Sequence, residues 1–535
     1  MVIMDMDLVK KGKLPLLIYV FSLYPLLLFA GDWEFSPTLI ADETYTDNVE
    51  LLESNKKSSL VSQLGVGIEL AYTAQNAFFD FKSTSQYAMY SHDHNLDDDY
   101  HTLESDFKLM LWPNGIALFG SASILNQSKN QNKNALADIV SGETVRVENY
   151  QGGFEYIIDN SDFTLGSSIS YLTSKTEDGI GEREGISTRV QSKNGAAARL
   201  IFWDVNANYQ ELNNNNQNSK THRGELKLGF ITNYNVNPFL RYFNEDSTGT
   251  INRNQLLESS SYGAGLRLLM TPRLYIDLAY NLPSTTQFDS NGDKQENYFS
   301  STIAWQPSSR TTFNAQFSQR FYGNSYQGDF THKNKRLTNS ISYNETVQSF
   351  TRNNIQRNSL GQFWCPTVEA GSIIDDENCY ISGNSAIDFD NFRLVTLSES
   401  EIIEDDQYSL NKVLSWTSTL ALPRTTFTLN INSLNRENLS TKVEDEGKNA
   451  KFSIKRKVSG YSDLSLTLSY REDNRALNQE NEQLDIYRQY SLDYDRKINS
   501  RLSGTLGISH LNRSSNKQAF NYEESRIYFR INKGF

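Results

Sequence analysis

From Trp33 onward the chain repeats one local device, a segment of about ten residues in which apolar and polar side chains alternate, closed by a turn. In Asp463 to Tyr470, Leu464, Leu466, Leu468 and Tyr470 share one face, and Ser465, Thr467 and Ser469 share the other. Arg424 to Asn432 sets Phe427, Leu429 and Ile431 against Thr426, Thr428, Asn430 and Asn432; Arg273 to Tyr280 and Arg501 to Ser509 repeat the scheme. A period of two is the pitch of an extended strand, whose successive side chains leave opposite faces. Strands with one greasy face and one hydroxyl or amide face fit two architectures. A soluble sandwich turns the apolar face inward, whereas a membrane barrel turns it outward to lipid around a wet lumen.

The connections separate these two, because they alternate in length. Short turns occur at Ala74-Gln75-Asn76, Trp112-Pro113-Asn114-Gly115, Trp203-Asp204, Thr271-Pro272, Gln306-Pro307-Ser308, Leu422-Pro423 and Lys497-Ile498-Asn499, among others. Between them lie longer polar loops, including Asp47 to Lys57, Ser128 to Ser141, Pro283 to Gln295, Asn435 to Lys448 and Arg471 to Asn481. Short turns at one end and long loops at the other are the asymmetry of an outer-membrane barrel, with the short turns periplasmic. The expected fold is therefore all-β: a single large antiparallel transmembrane β-barrel of roughly 24 strands, an even number.

Composition agrees. Hydrophobic residues are only 38% of the 535, while aromatics reach 12%, too little apolar material for the several soluble cores that such a length implies. No Pro/Gly/Ser linker divides the chain. The net charge of −13 and pI near 5.1 exclude a nucleic-acid partner, since phosphate binding needs a basic surface.

Residues 1–30 have the order of a secretory signal peptide. Lys10, Lys11 and Lys13 precede the apolar run Leu14 to Phe29, which ends at Ala30. The alternative, a retained membrane helix, is disfavoured by the short run and by Pro25 inside it. The mature barrel is expected over 31–535, with the outer membrane as its location and outer-membrane lipid as its solvent. Trp112, Trp203 and Trp305 each fall at a strand end immediately before a periplasmic turn and are expected to form an interfacial girdle. In the last segment Ile527, Phe529, Ile531 and Phe535 share one face, resembling the C-terminal assembly signal that the barrel assembly machinery reads.

Side chains that could carry chemistry are few. Cys365 and Cys379 lie in the longest loop, 353–404, and are expected to form a disulfide in an oxidising compartment, closing a loop of ~15 residues worth ~3 kcal/mol. His92, His94 and His101 stand among Asp93, Asp97, Asp98 and Asp99, but their spacing matches no metal motif; a solvated loop tip is the expected reading, and no metal or other cofactor is expected. No motif marks a nucleophile with its base, so no catalytic residues and no enzyme activity are expected. Arg310, Arg320, His332, Lys333, Lys335 and Arg336 concentrate around one hairpin. They form either a lumen-facing patch for an anionic polymer or partners of neighbouring carboxylates and lipid head groups.

Around this hairpin the residues become recognisable: Trp305-Gln306-Pro307-Ser308-Ser309-Arg310-Thr311, Arg320-Phe321-Tyr322-Gly323 and Tyr343-Asn344-Glu345. With Glu43-Thr44-Tyr45-Thr46-Asp47-Asn48-Val49, they resemble the outer-membrane β-barrel family found with the PEP-CTERM and exosortase exopolysaccharide system. The resemblance is strongest from Ser261 to Phe350. Tyr322 stands where that pattern has a second Phe, and the cysteine loop has no place in it. It implies a porin-like role in exporting or assembling exopolysaccharide, beside a periplasmic polysaccharide-export protein. The competing readings are a general or plugged porin and a structural or binding barrel that displays its loops.

Overall fold

The computed structural model describes the backbone of 31–535 apart from 113–114, 129–135, 137, 142–143, 178, 180, 215–216, 252–256, 285–295, 350–355, 367–379, 382–391, 402–407, 476, 478–481 and 518–519; side chains are described over the same residues outside 350–407. Twenty-four strands form one antiparallel sheet that closes on itself. The closing element is the first strand, Asp32–Thr46, which pairs with Ser59–Ala74 on one side and with the last strand, Tyr522–Gly534, on the other. Tyr45 stands in register with Leu60 and Ile527, and all three are exposed on the outer wall. The next position, Thr44, stands in register with Val61 and Tyr528 and points into the lumen.

Closure leaves the sheet without a free edge, which is what a strand-built protein needs where no water can satisfy backbone groups. The outer wall carries a continuous belt of exposed apolar side chains, among them Leu64, Val66, Ile68, Phe154, Ile169, Leu266, Leu506, Ile508 and Leu240, the last 66% exposed. A belt of this extent facing water would drive association. Facing lipid, it is the outer surface of an outer-membrane barrel.

Register shifts mark several periplasmic strand ends: Met110/Trp112, Leu269/Thr271, Trp305/Ser308, Lys457/Ser459 and Lys497/Asn499. A bulge turns the next side chain to the other face. Met110 is inward, and the shift delivers Trp112 to the outer wall in register with Ile116, 62% exposed.

At the extracellular end the strands run further than the loop pattern suggests. Thr425–Asn438 and Glu444–Ser459 leave only 439–443 between them, and Ile201–Asn214 and Gln217–Phe230 leave only 215–216. Fourteen residues extend about 46 Å, more than a tilted strand needs to cross a ~30 Å hydrocarbon core, so the wall projects beyond the membrane. Between Leu337–Gln348 and Ser409–Ala421 the long loop contains a three-stranded antiparallel sheet of Gln356–Pro366, Tyr380–Ile381 and Phe392–Glu401.

Candidate functional site

In a barrel the site is the lumen, and alternation along each strand decides what faces it. Within the eight strands from Gln217–Phe230 to Leu337–Gln348, rings and charges point inward from Gln217–Phe230 and Val236–Thr248 toward small inward residues such as Gly263, Gly265, Ser300 and Thr302. In Val236–Thr248, Leu240 and Tyr242 are exposed outside, while Phe239, Arg241, Phe243 and Glu245 are buried inside. Eight strands close over a backbone-to-backbone width of about 16 Å, which inward side chains fill. This part of the sheet curls until its own inner face meets itself.

The contacts across it are ionic and specific. Arg241 donates through Nε to Glu225 (2.8 Å) and through its terminal nitrogens to Asn281 (2.9 Å) and Ser318 (3.3 Å). Gln316 donates to the other Glu225 oxygen at 3.3 Å. Asp277 accepts two bonds from Arg267, 2.7 and 2.9 Å, and one from Lys227 at 3.2 Å. Arg320 grips Glu245 with two nitrogens and donates to the Tyr322 hydroxyl at 2.7 Å. Between Glu225, Lys227, Arg241, Asp277, Thr302 and Gln316 there is no room for a water molecule. Each charge is matched by a partner, as burial at this depth requires.

Glycines let these side chains in. A Cβ on Gly265 would stand 2.6 Å from the Phe239 ring and 2.4 Å from the Leu278 carbonyl oxygen; one on Gly229 would stand 2.4 Å from the Phe202 ring. Phe202 meets Phe239 edge-on at 6.2 Å, and the Arg267 guanidinium lies 4.2 Å from the Phe202 ring centre. At the extracellular end Tyr408 seals the seam. Its hydroxyl donates to the Thr248 carbonyl (2.6 Å) and lies 2.9 Å from Ser219, which lies 2.7 Å from Ser349. Burial pushes the Tyr408 phenol up to about 12, which keeps it a neutral donor.

The other sixteen strands have a different interior. Inward positions mix short hydroxyls and amides (Thr426, Thr428, Asn430 and Asn432; Ser465, Thr467 and Ser469; Ser503, Thr505 and Ser509; Asn206, Asn208 and Gln210) with partly solvated ion pairs such as Lys82–Glu69, Lys108–Glu155 and Arg530–Asp42. Asn206, Asn208, Lys451, Gln489 and Arg530 are exposed although they face inward. This lobe holds solvent.

One extracellular segment folds into its mouth. Residues 136 and 138–141, which lie between Ile116–Ser128 and Thr144–Asp159, dock on the last strand and on its neighbours. Asp138 lies 2.5 Å from Arg526, and Ser141 donates to Glu524 at 2.6 Å. Leu136 packs on Leu51, Tyr487, Leu511 and Tyr522; Ile139 and Val140 pack on Val49, Val61, Ala88, Tyr90 and Tyr100. Below them, Arg513 and Asp485 form a fully buried pair 3.0 Å apart, with the Arg513 guanidinium 5.2 Å from the Tyr487 ring centre.

The basic residues around the hairpin do not form a lumen patch. Arg320 is buried against Glu245 near the extracellular end of Thr311–Arg320, whereas Arg310, Lys335 and Arg336 are exposed in periplasmic turns and Lys333 is buried beside them. About ten residues of strand, some 33 Å, separate the two groups. His332 bonds Thr311 at 2.9 Å. Trp112 and Trp305 are exposed on the outer wall before their turns. Trp203 also lies at a periplasmic strand end, but it follows its turn: that strand begins at Ile201, and Trp203 donates to Ser192 at 3.0 Å on the neighbouring strand. The preceding turn, 195–200, contains three alanines and a leucine, so the apolar pattern runs through it unmarked. Phe529, Ile531 and Phe535 lie on the outer face, and the Phe535 amide donates to the Pro37 carbonyl at 3.1 Å. The disulfide expected of Cys365 and Cys379 and the signal peptide of residues 1–30 lie outside the described residues. Among the described residues no group of His, Cys, Asp and Glu is placed to hold a metal ion; His94 and His101 instead pair with Asp97 (3.2 Å) and Asp99 (2.6 Å).

Of the charges that fill the small lobe, sequence reasoning singled out Arg320 alone. Their signal is the simultaneous presence of rings or charges on both faces of Val236–Thr248, which a wide lumen does not require.

No family model matches the chain, and no curated protein matches it. Among solved structures, a mutant of the ferric enterobactin receptor PfeA from Pseudomonas aeruginosa is 8% identical, covering 94% of this chain and 80% of that one, with a TM-score of 0.42. The siderophore receptor PirA from Acinetobacter baumannii is 8% identical over the same shares, with a TM-score of 0.41. The alcaligin outer-membrane receptor FauA from Bordetella pertussis is 11% identical, covering 94% and 76%, with a TM-score of 0.36. Likeness at this level says nothing of ligand or mechanism.

Proposed function

We propose that this outer-membrane barrel is a passive conduit for hydrated, hydroxyl-rich molecules, using the sixteen-strand lobe as its path and the inward-docked segment around Asp138 as its constriction. The observation that carries this reading is the contrast between the two interiors. One is packed with buried, paired charges and rings, and the other is a solvated wall of Ser, Thr, Asn and Gln interspersed with exposed charges such as Lys451 and Arg530. Hydroxyls and amides exchange hydrogen bonds with a sugar chain at little net cost, because each replaces a bond to water of similar strength. Export or assembly of exopolysaccharide is the specific form suggested by the sequence resemblance, with a periplasmic polysaccharide-export protein as partner. Removal of residues 1–30, the Cys365–Cys379 disulfide, the tryptophan girdle and recognition of Phe529, Ile531 and Phe535 by the assembly machinery belong to the same proposal.

A deletion strain tests it. Loss of surface polysaccharide with small-solute uptake unchanged supports the export route, and loss of small-solute uptake alone supports a general porin. A second reading, a closed barrel that displays its loops, is favoured by the filled lobe and the docked segment. Bilayer conductance at the noise floor, both in the native chain and after Asp138→Ala, would establish it.

A further inference from the structure

The periplasmic end of the small lobe and of the strand pair beside it has features that conduction does not use. Four successive periplasmic turns, at 272–273, 309–310, 334–336 and 422–424, carry Arg273, Arg310, Lys335, Arg336 and Arg424 and not one acidic residue. All five side chains are exposed, and among the described residues none forms an ion pair; Arg273 donates to the Pro307 carbonyl at 3.0 Å. The turns at 75–76 and 160–162, on the opposite part of the rim, hold no basic residue. Three of the basic turns are fixed to one another: Arg273 bonds the end of Tyr298–Ser308, and the Lys333 amide donates to the Arg310 carbonyl at 2.8 Å.

At this rim lies a cavity of about 680 Å³ whose wall combines the apolar Leu269, Met270, Leu274 and Trp305 with polar groups of Asn235, Thr271, Gln306, Thr312 and Asn314. It is blind. Directly above it the Arg267 guanidinium covers the Tyr275 ring at 4.6 Å and bonds Asp277, and the packed core beyond admits no water. A recess of this volume, closed at its inner end and lined by apolar side chains with a few amides and hydroxyls among them, is suited to holding a peptide segment.

We propose that this rim and recess form a docking site for an acidic, extended segment of a periplasmic protein. The spacing carries the assignment to a chain. Alternate turns of an antiparallel sheet stand two strand spacings, about 10 Å, apart, and a peptide extended as polyproline II advances about 9 Å in three residues and brings side chain i+3 back to the face of i. Carboxylates at every third residue therefore meet the cations of successive turns, while the amides of the recess satisfy backbone groups between them. Lipid head groups offer charge without this period and without a segment to enter the recess. The site stands whatever the conduit carries.

The experiment uses the full barrel in zwitterionic nanodiscs and a fluorescent twelve-residue peptide with Glu at every third position and Ser elsewhere. Anisotropy should show saturable binding that weakens steeply from low salt to 0.5 M, as exposed charge contacts do. Binding should fall at least tenfold in the triple variant Arg310→Glu, Lys335→Glu, Arg336→Glu. It should fall at least fivefold in Thr312→Trp, which narrows the recess and leaves the charge alone. Heat-shifted gel migration, checked for each variant, shows that the barrel is folded. A scrambled peptide with its four Glu contiguous should bind several-fold more weakly. Equal affinity for both peptides, or full binding by Thr312→Trp, overturns the proposal. So does a triple variant that keeps its peptide affinity but loses co-purified anionic phospholipid, which would make the rim a lipid anchor.

Discussion

At the scale of single residues, the small lobe depends on charges that cannot be left alone. Glu245 accepts from Arg320, and neither side chain reaches solvent to any useful extent. Removing one partner of such a pair strands the other and costs about 3–5 kcal/mol. Glu245→Gln is therefore expected to lower the temperature at which the barrel loses its compact gel mobility, whereas the exposed Lys448→Gln, whose pairs with Glu446 and Glu472 are solvated, should leave it unchanged. Equal midpoints for both variants would remove the claim that this lobe is an ionic core. Gly265 is a sharper case. Its missing Cβ is where the Phe239 ring, the Leu278 carbonyl and the Ala279 methyl converge within 3 Å, so Gly265→Leu must push strands apart. We expect reduced assembly into membranes for Gly265→Leu, set against normal levels for Gly460→Leu, where nothing lies within 4 Å.

At the scale of elements, the extracellular residues 136 and 138–141 are held, among the described residues, by the Asp138–Arg526 ion pair, hydroxyl bonds from Ser141 to Glu524 and from Tyr90 to the Ile139 carbonyl, and a few apolar contacts, less than fixes a strand. Their docking is a local equilibrium that opens without unfolding the barrel. Asp138→Ala and Leu136→Ala should each raise single-channel conductance in planar bilayers, and the double variant should raise it little further, since both release the same segment. Unchanged conductance in all three would show that the segment does not obstruct the path. The bulges at the periplasmic strand ends show elements placing single residues. A bulge of one residue, not a distant contact, sends Trp112 to the lipid side.

At the scale of the molecule, a 24-strand ring would be about 48 Å across if round, and its sixteen-strand part alone about 32 Å. Because eight strands are spent on a filled lobe, polymer exclusion should report the smaller aperture. Polyethylene glycols that would enter a round 24-strand lumen should fail to reduce the conductance of this one. If they do reduce it, the lobes are not divided in the membrane.

What was legible in the sequence is what short-range physics writes into it. Alternation along DLSLTLSY names the strand and its two faces, and turn chemistry at Thr271-Pro272 and Leu422-Pro423 marks where strands reverse; the even total of 24 follows from loops alternating in length. The apolar face of Leu464, Leu466 and Leu468 and the last strand's outer face were readable for the same reason, since each depends on residues two apart. The division of the lumen was not readable. Arg241 and Ser318 are 77 positions apart and Glu225 and Gln316 are 91; whether an inward arginine faces water or a serine four strands away depends on how the closed sheet curves. The hairpin of basic residues shows the same limit. Adjacent in the chain, Arg320 and Lys333 sit at opposite ends of the barrel because a strand carries its two ends some 33 Å apart, and only the folded sheet decides that one is buried against Glu245 while Arg310, Lys335 and Arg336 meet the periplasm.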